Sequence, residues 1–353
     1  MRLQRATYIT ILLIAITYIL YISQSYLIPL ALAVLIWDII RGLRDFFKRI
    51  KFVDKHFPVW LLNTLSFGTI FLVLSILSNL IVTGISQFST KLPTYQANIY
   101  KINDIVLEKY NYNLIEQLEK YFGTFDFTVL IQPILNGLSV ILADGFMITL
   151  YCIFLLLEEA IFRQKFRSLF SSEEQFLKVN EVVRQIDELF TEYLSLKTIV
   201  SLVTGFCSYV VLVLLDVDAP VLWGILIFLL NYIPSIGSLI ATAFPTIVAM
   251  LQTGDIMSGV WVLIAVGIIQ VIVGNFVEPK VMGNSLNISP FVVIVALVLW
   301  GAIWGIIGML LSVPITVIMI LIMAQFDNTK SIAIMLSESG KVGTIEELDV
   351  NDL

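Results

Sequence analysis

"NYIPSIG", Asn231–Gly237, lies inside an apolar run from Val221 to Leu251. Proline and glycine three residues apart break regular helix. A segment surrounded by lipid has to keep its backbone hydrogen bonds paired, because hydrocarbon offers no partner. The run holds 31 residues, whereas about 20 residues at ~1.5 Å each cross a ~30 Å hydrocarbon core. Cut at Pro234-Ser235-Ile236-Gly237, it leaves arms of about 13 and 14 residues, each reaching roughly 20 Å and too short to cross. A re-entrant hairpin satisfies both lengths: it enters the membrane, turns near the middle and leaves on the same side. An unwound turn at that depth is tolerated when protein shields it or when it lines a polar cavity. Asn231, Pro234, Ser235 and Gly237 are therefore candidate substrate-binding positions.

The last apolar block repeats the pattern. Phe291–Met323 holds 33 residues, is interrupted by "GAIWGIIG" with Gly301, Gly305 and Gly308, and carries Pro314 in its second arm. In the first block ten residues lead to Asn231, and Pro245 follows Gly237 by eight; in the second, ten lead to Gly301, and Pro314 follows Gly305 by nine. One ordinary span precedes each, Thr198–Leu215 and Ile256–Val277. Span plus hairpin, twice and with opposite sidedness, makes an inverted repeat, which sets a transporter's site near the midplane. Gly301, Gly305 and Pro314 thus join the substrate-binding candidates. The alternative is a pair of tilted, glycine-kinked helices and eight full spans. Hairpins place Gln252–Asp255 outside and Glu278–Asn287 inside; full spans reverse both.

The rest of the chain agrees with a membrane protein. Hydrophobic residues make up 58% of its 353 residues and charged ones 14%, with a mean hydropathy of +0.94; soluble domains carry roughly a quarter charged residues. The further apolar blocks are Ala6–Ile22, Tyr26–Ile40, Trp60–Ile85 and Pro133–Leu157. They are blocks, not alternations, which excludes porin-like strands. Arg2 and Arg5 precede the first block, but no small-residue cleavage site follows, so it reads as a retained span. Arg41, Arg44, Lys48, Arg49, Lys51 and Lys55 mark one cytoplasmic loop, and Arg163, Lys165 and Arg167 another. The fold class is all-α: a polytopic helical membrane protein with about six full spans plus two re-entrant hairpins, both termini cytoplasmic. Residues 1–85 hold spans 1–3, 86–132 an extracytoplasmic helical region broken by Pro93 and Gly123, and 133–158 span 4. Residues 159–197 form a cytoplasmic amphipathic linker, 198–326 the transport core and 327–353 an acidic tail.

Few groups could carry reactions. Cys152 and Cys207 sit in apolar blocks, and His56 stands beside Lys55 in a basic loop. No metal site, cofactor, nucleotide-binding loop or nucleophile–base pair is indicated, so an enzyme is not expected. Ionisable groups at membrane depth are functional candidates instead. Asp144 lies midway in Pro133–Leu157; it could carry a proton or cation, or bond a neighbouring helix. Gln270, Asn275 and Glu278 stand at i, i+5 and i+8, on one broad helix face; Glu278 is the second candidate for ion or proton coupling. Pro279 is expected to end that helix. For Asp38, beside Arg41, a snorkelling ion pair suffices.

The segments "LLNYIPSIGSLIATAFP" and "QVIVGNFVEPKVMGNSLNISPFVVIVALVLWGAIWGIIGMLLSVP" resemble the signature half of the autoinducer-2 exporter family, the PerM-type permeases. Asn231, Pro234, Gly237, Gln270, Asn275, Glu278, Pro279, Lys280, Gly283 and Pro314 match its pattern; Asp144 is not part of it. The resemblance implies a homo-oligomeric bacterial inner-membrane transporter, with pentamers and an elevator-like movement proposed. It implies export of a small polar signal molecule in some members and Na⁺(Li⁺)/H⁺ antiport in others. A non-transporting scaffold docking through Ser86–Gln132 is the rival from another class.

Overall fold

The computed structural model describes residues 2–50, 55–113, 115–117, 120, 144–282 and 287–340. Gly123, the first half of the expected fourth span, Gly283 and residues 341–353 of the acidic tail lie outside the described residues. The chain builds α1 (Arg2–Ile22), α2 (Gln24–Lys48), α3 (Val59–Tyr110), α4 (Gly145–Ser168) and α5 (Glu173–Leu214). These are followed by α6 (Pro220–Leu230), α7 (Ile236–Thr253), α8 (Ile256–Ile272), a π-helical segment Val273–Val277, α9 (Glu278–Met282), α10 (Pro290–Ala324) and α11 (Asp327–Leu336). Among the described residues the sole β contact is an isolated bridge between Ile288 and Ser337. Among the described residues six helices are long and apolar enough to cross a membrane. The protein is an all-α polytopic membrane protein.

Pro93 does not break the helix: α3 runs through it for 52 residues. Phe88, Lys91, Tyr95 and Asn98, on either side of the proline, all dock on other elements, and that packing outweighs the lost N–H. The amphipathic stretch Glu173–Lys197 and the span after it are likewise one uninterrupted helix, α5.

The chain divides into two compact units. The first is built on Met1–Phe71, Val140–Ser195 and Asn284–Leu353. In it α2 packs on α4 through Ala33, Ile148 and Cys152, and the Cys152 thiol donates to the Ala33 carbonyl at 3.4 Å. An ionic cluster joins the polar ends. Arg41 donates to both oxygens of Asp187 at 2.7 Å and stacks over Trp37 at 4.6 Å. Arg44 forks onto Glu159 at 2.9 and 3.0 Å and reaches Asn63 at 3.0 Å. Asp38 is buried and accepts from the Thr191 hydroxyl at 2.7 Å. The snorkelling Asp38–Arg41 pair expected from sequence is therefore replaced: Arg41 finds the carboxylate of Asp187, and Asp38 a neutral donor.

Within this unit α10 is not a rod. Trp304 (φ −124°, ψ 15°) and Gly305 (φ 61°, ψ −141°) leave helical geometry, and the second conformation is open to glycine alone. A Cβ on Gly308 would lie 1.9 Å from the Trp300 carbonyl oxygen, and one on Gly301 2.9 Å from Met309. Residues eight apart would be ~12 Å apart along a straight helix, so the chain doubles back. The feet agree. Ser289 and Glu338 donate to the Leu336 and Asn287 carbonyls at 3.1 Å. A straight α10 would separate its ends by about 50 Å, and the ten helical residues of α11 would recover only about 15 Å. The tip packs Trp304, Ile307 and Leu311 on Ile28, and the Trp304 indole donates to the Leu20 carbonyl at 3.1 Å.

Candidate functional site

The second unit, Leu72–Ser139 with Leu196–Gly283, holds the hairpin of "NYIPSIG". Its arms are α6 and α7. Trp223 and Phe244, 21 positions apart, stack with ring centroids 6.3 Å apart, so the arms lie side by side. Both feet are tied together and to α3. The Gln252 side chain accepts from the Asp218 amide at 2.7 Å and donates to the Asp216 carbonyl at 2.6 Å. Asp218 pairs with Lys91 and accepts from the Tyr95 hydroxyl at 2.9 Å. Asn98 donates to the Leu251 and Gln252 carbonyls at 2.8 and 3.1 Å. A crevice of about 150 Å³ beside the feet is lined by Asp216, Gln252, Thr253, Ser258 and Trp261.

The tip is a tight reversal. Ser235 has φ 59° and ψ −56°, and Ile236 donates to the Pro234 carbonyl at 2.6 Å. This is the γ-turn with positive φ, a rare and strained form. Gly237 closes it: a Cβ there would sit 1.9 Å from the Leu230 carbonyl oxygen. Pro234 is half-buried and Ser235 exposed. The tip is seated on α5. Asn231, buried, donates to the fully buried Ser201 hydroxyl at 3.0 Å, and the Tyr232 and Thr198 hydroxyls bond at 2.7 Å. The 11 residues of α6 carry the tip roughly 16 Å from its feet.

One residue before Thr198 on α5 is a group the sequence reading passed over. Lys197 is 3% exposed and forms an ion pair with Glu278. Lys197, Thr198 and Ser201 lie within about one turn. Each holds a different group: Glu278, Tyr232 and Asn231. Lys197, Ser201, Thr204 and Ser208 repeat at i, i+4, i+7 and i+11, and all are buried. That spacing is the signal that could have found Lys197, which sequence had assigned to a linker.

Glu278 reaches Lys197 through the π segment. Its amide bonds the Val273 carbonyl, five residues back. In a regular helix the ring of Pro279 would strike the carbonyl of Asn275; the wider turn avoids this. Pro279 therefore does not end the helix, which continues as α9, and the added residue shifts the rotation between Gln270 and Glu278. Among the described residues the buried Nε2 of Gln270 has no hydrogen-bond partner, whereas Asn275 is exposed. The structure thus brings Asn231 and Glu278 to the same turn of α5. Asp144 is half-buried at the N-cap of α4, without a side-chain cap bond. In the first unit, Gly301 and Gly305 form the other reversal, and Pro314 lines an apolar crevice with Phe190, Tyr193 and Val317.

A sequence model of the family described as AI-2E family transporter matches residues 10–328. A putative transport protein of Haemophilus influenzae is 32% identical over 326 residues, covering 90% of both chains. The AI-2 transport protein TqsA of Escherichia coli is 31% identical over 323 residues, covering 90% of this chain and 91% of its own. A putative transport protein of Borreliella burgdorferi is 30% identical over 276 residues, covering 76% of this chain and 74% of its own.

Proposed function

Because the chain belongs to the AI-2E transporter family, we propose that it exports a small, neutral, hydroxylated solute across the bacterial inner membrane, as a secondary transporter without catalysis. Similarity to a protein named for AI-2 transport supports a signal molecule of that kind as the solute. The observation that carries this reading is the reversed tip, with Asn231 and Tyr232 held on the turn of α5 that also holds the Lys197–Glu278 pair. Pro234, Ser235, Gly237, Gln270 and Asn275 complete the solute's path on this side, and Gly301, Gly305 and Pro314 serve the second hairpin. Amides, hydroxyls and freed backbone groups suit a neutral solute, whose desolvation they replace by hydrogen bonds. Transport proceeds by an alternating-access or elevator-like movement in a homo-oligomer, with hairpins of opposite sidedness alternately exposing the site.

Na⁺(Li⁺)/H⁺ antiport centred on Asp144 or Glu278 is the weaker reading, and Glu278 is the one that matches the family pattern. Its carboxylate already has a partner in Lys197, which a coupling ion would have to displace. Purified protein in proteoliposomes separates the two. Efflux of a labelled AI-2-type solute without a Na⁺ or pH gradient, lost in Asn231→Ala, supports export. Cation-driven proton movement with no solute flux overturns it.

A further inference from the structure

We propose that the Lys197 ammonium is a tethered cation: it occupies, on Glu278, the place a coupling Na⁺, Li⁺ or proton would take, so that this chain's transport site works without one. Lys197 is 97% buried by its 3% exposure, and its only acceptor among the described residues is Glu278. Burying an ammonium alone is costly, and pairing with a carboxylate offsets much of that cost. Glu278 cannot change partners without stranding the buried ammonium. The other charged groups of Leu196–Gly283 do not compete. Lys280 is exposed, and Asp216, Asp218 and Asp255 belong to the hairpin's feet or the loop beside them. The Tyr232 hydroxyl, the nearest titratable group on the tip, is bonded to Thr198. The π segment adds to the case, since its extra residue sets where along α5 the carboxylate arrives. Such single-turn insertions recur at functional sites.

Removal of the ammonium leaves a half-buried carboxylate without its counter-charge, open to a small cation. The inference rests on Glu278 belonging to the transport site, yet it is tested by binding and needs no flux. Full-length protein is melted in NaCl, LiCl and choline chloride at equal ionic strength and fixed pH. The wild type and K197M/E278Q melt at one temperature in all three salts. Lys197→Ala gains about 3 °C in NaCl or LiCl at roughly ten times the cation's dissociation constant. A cation-indifferent Lys197→Ala, or a wild type that itself responds, overturns the proposal. If Lys197→Ala does not fold, the wild type and Lys197→Arg decide: both have to stay indifferent, and a response in either overturns it. Failure of the export reading shows as absent solute flux with these shifts intact; failure of this inference shows the reverse.

Discussion

At the scale of the residue, Ser235 and Asn231 make opposite contributions to the same turn. Ser235 holds a φ of 59° where a side chain is disfavoured, at a cost on the order of 1–3 kcal/mol. Ser235→Gly is expected to stabilise the protein by about 1 kcal/mol, read as a higher melting temperature. If the strain helps the tip to move, the same variant slows solute efflux. Asn231→Ala leaves Ser201 buried without its donor and is expected to destabilise by roughly 1–3 kcal/mol. A double-mutant cycle with Ser201→Ala then gives a coupling near 1 kcal/mol, about the worth of the single bond; additivity would mean that the bond does not hold the tip. Asn231 was legible because it is a polar side chain standing just before a proline-glycine break in an apolar run. Lys197 was not, because charge along the chain assigns a lysine to the polar side of a boundary. Its burial is decided by Glu278, 81 positions away.

At the scale of the element, the two reversals were legible because lipid restricts where a long apolar run can place proline and glycine. The closing glycines follow from contact: Gly237 and Gly308 each have a carbonyl oxygen 1.9 Å from where a Cβ would be. Gly237→Ala and Gly308→Ala are each expected to cost more than about 3 kcal/mol, with loss of properly inserted protein on detergent size-exclusion, because backbone cannot yield as a side chain can. Gly267→Ala, with nothing within 4 Å, is the control that leaves the profile unchanged. Cysteines replacing Trp223 and Phe244, in a background lacking Cys152 and Cys207, are expected to join through a short bifunctional thiol reagent. On a straight helix they would stand ~31 Å apart and remain unlinked. Sequence periodicity did not yield the π segment, since one extra residue is invisible to a 3.6-residue repeat; the pairing of Pro279 with an unbroken helix required it. Nor did it yield the passage of α3 through Pro93, where local propensity favoured a break and docking on the hairpin's feet decided otherwise.

At the scale of the molecule, we propose from lysine and arginine placement and the two reversals which loops face which side. Asp255→Cys is expected to react with an impermeant thiol reagent added outside intact cells, and Lys280→Cys only after the inner face is opened. The reverse pattern would mean full spans and would remove the basis for a solute site at the reversals. What the chain could not disclose beforehand is how firmly each reversal is anchored. The first is fastened at its feet through Asp218, Gln252 and Asn98, with Lys91 paired to Asp218, and two hydroxyl and amide bonds seat its far end. Mechanically that is a cantilever. A tilt of only about 10° at the clamped root would swing an arm of roughly 16 Å by about 3 Å at its point, which is the width of one water molecule. A leak-proof seal and an open passage can thus differ by a flexure too small to disturb the clamp.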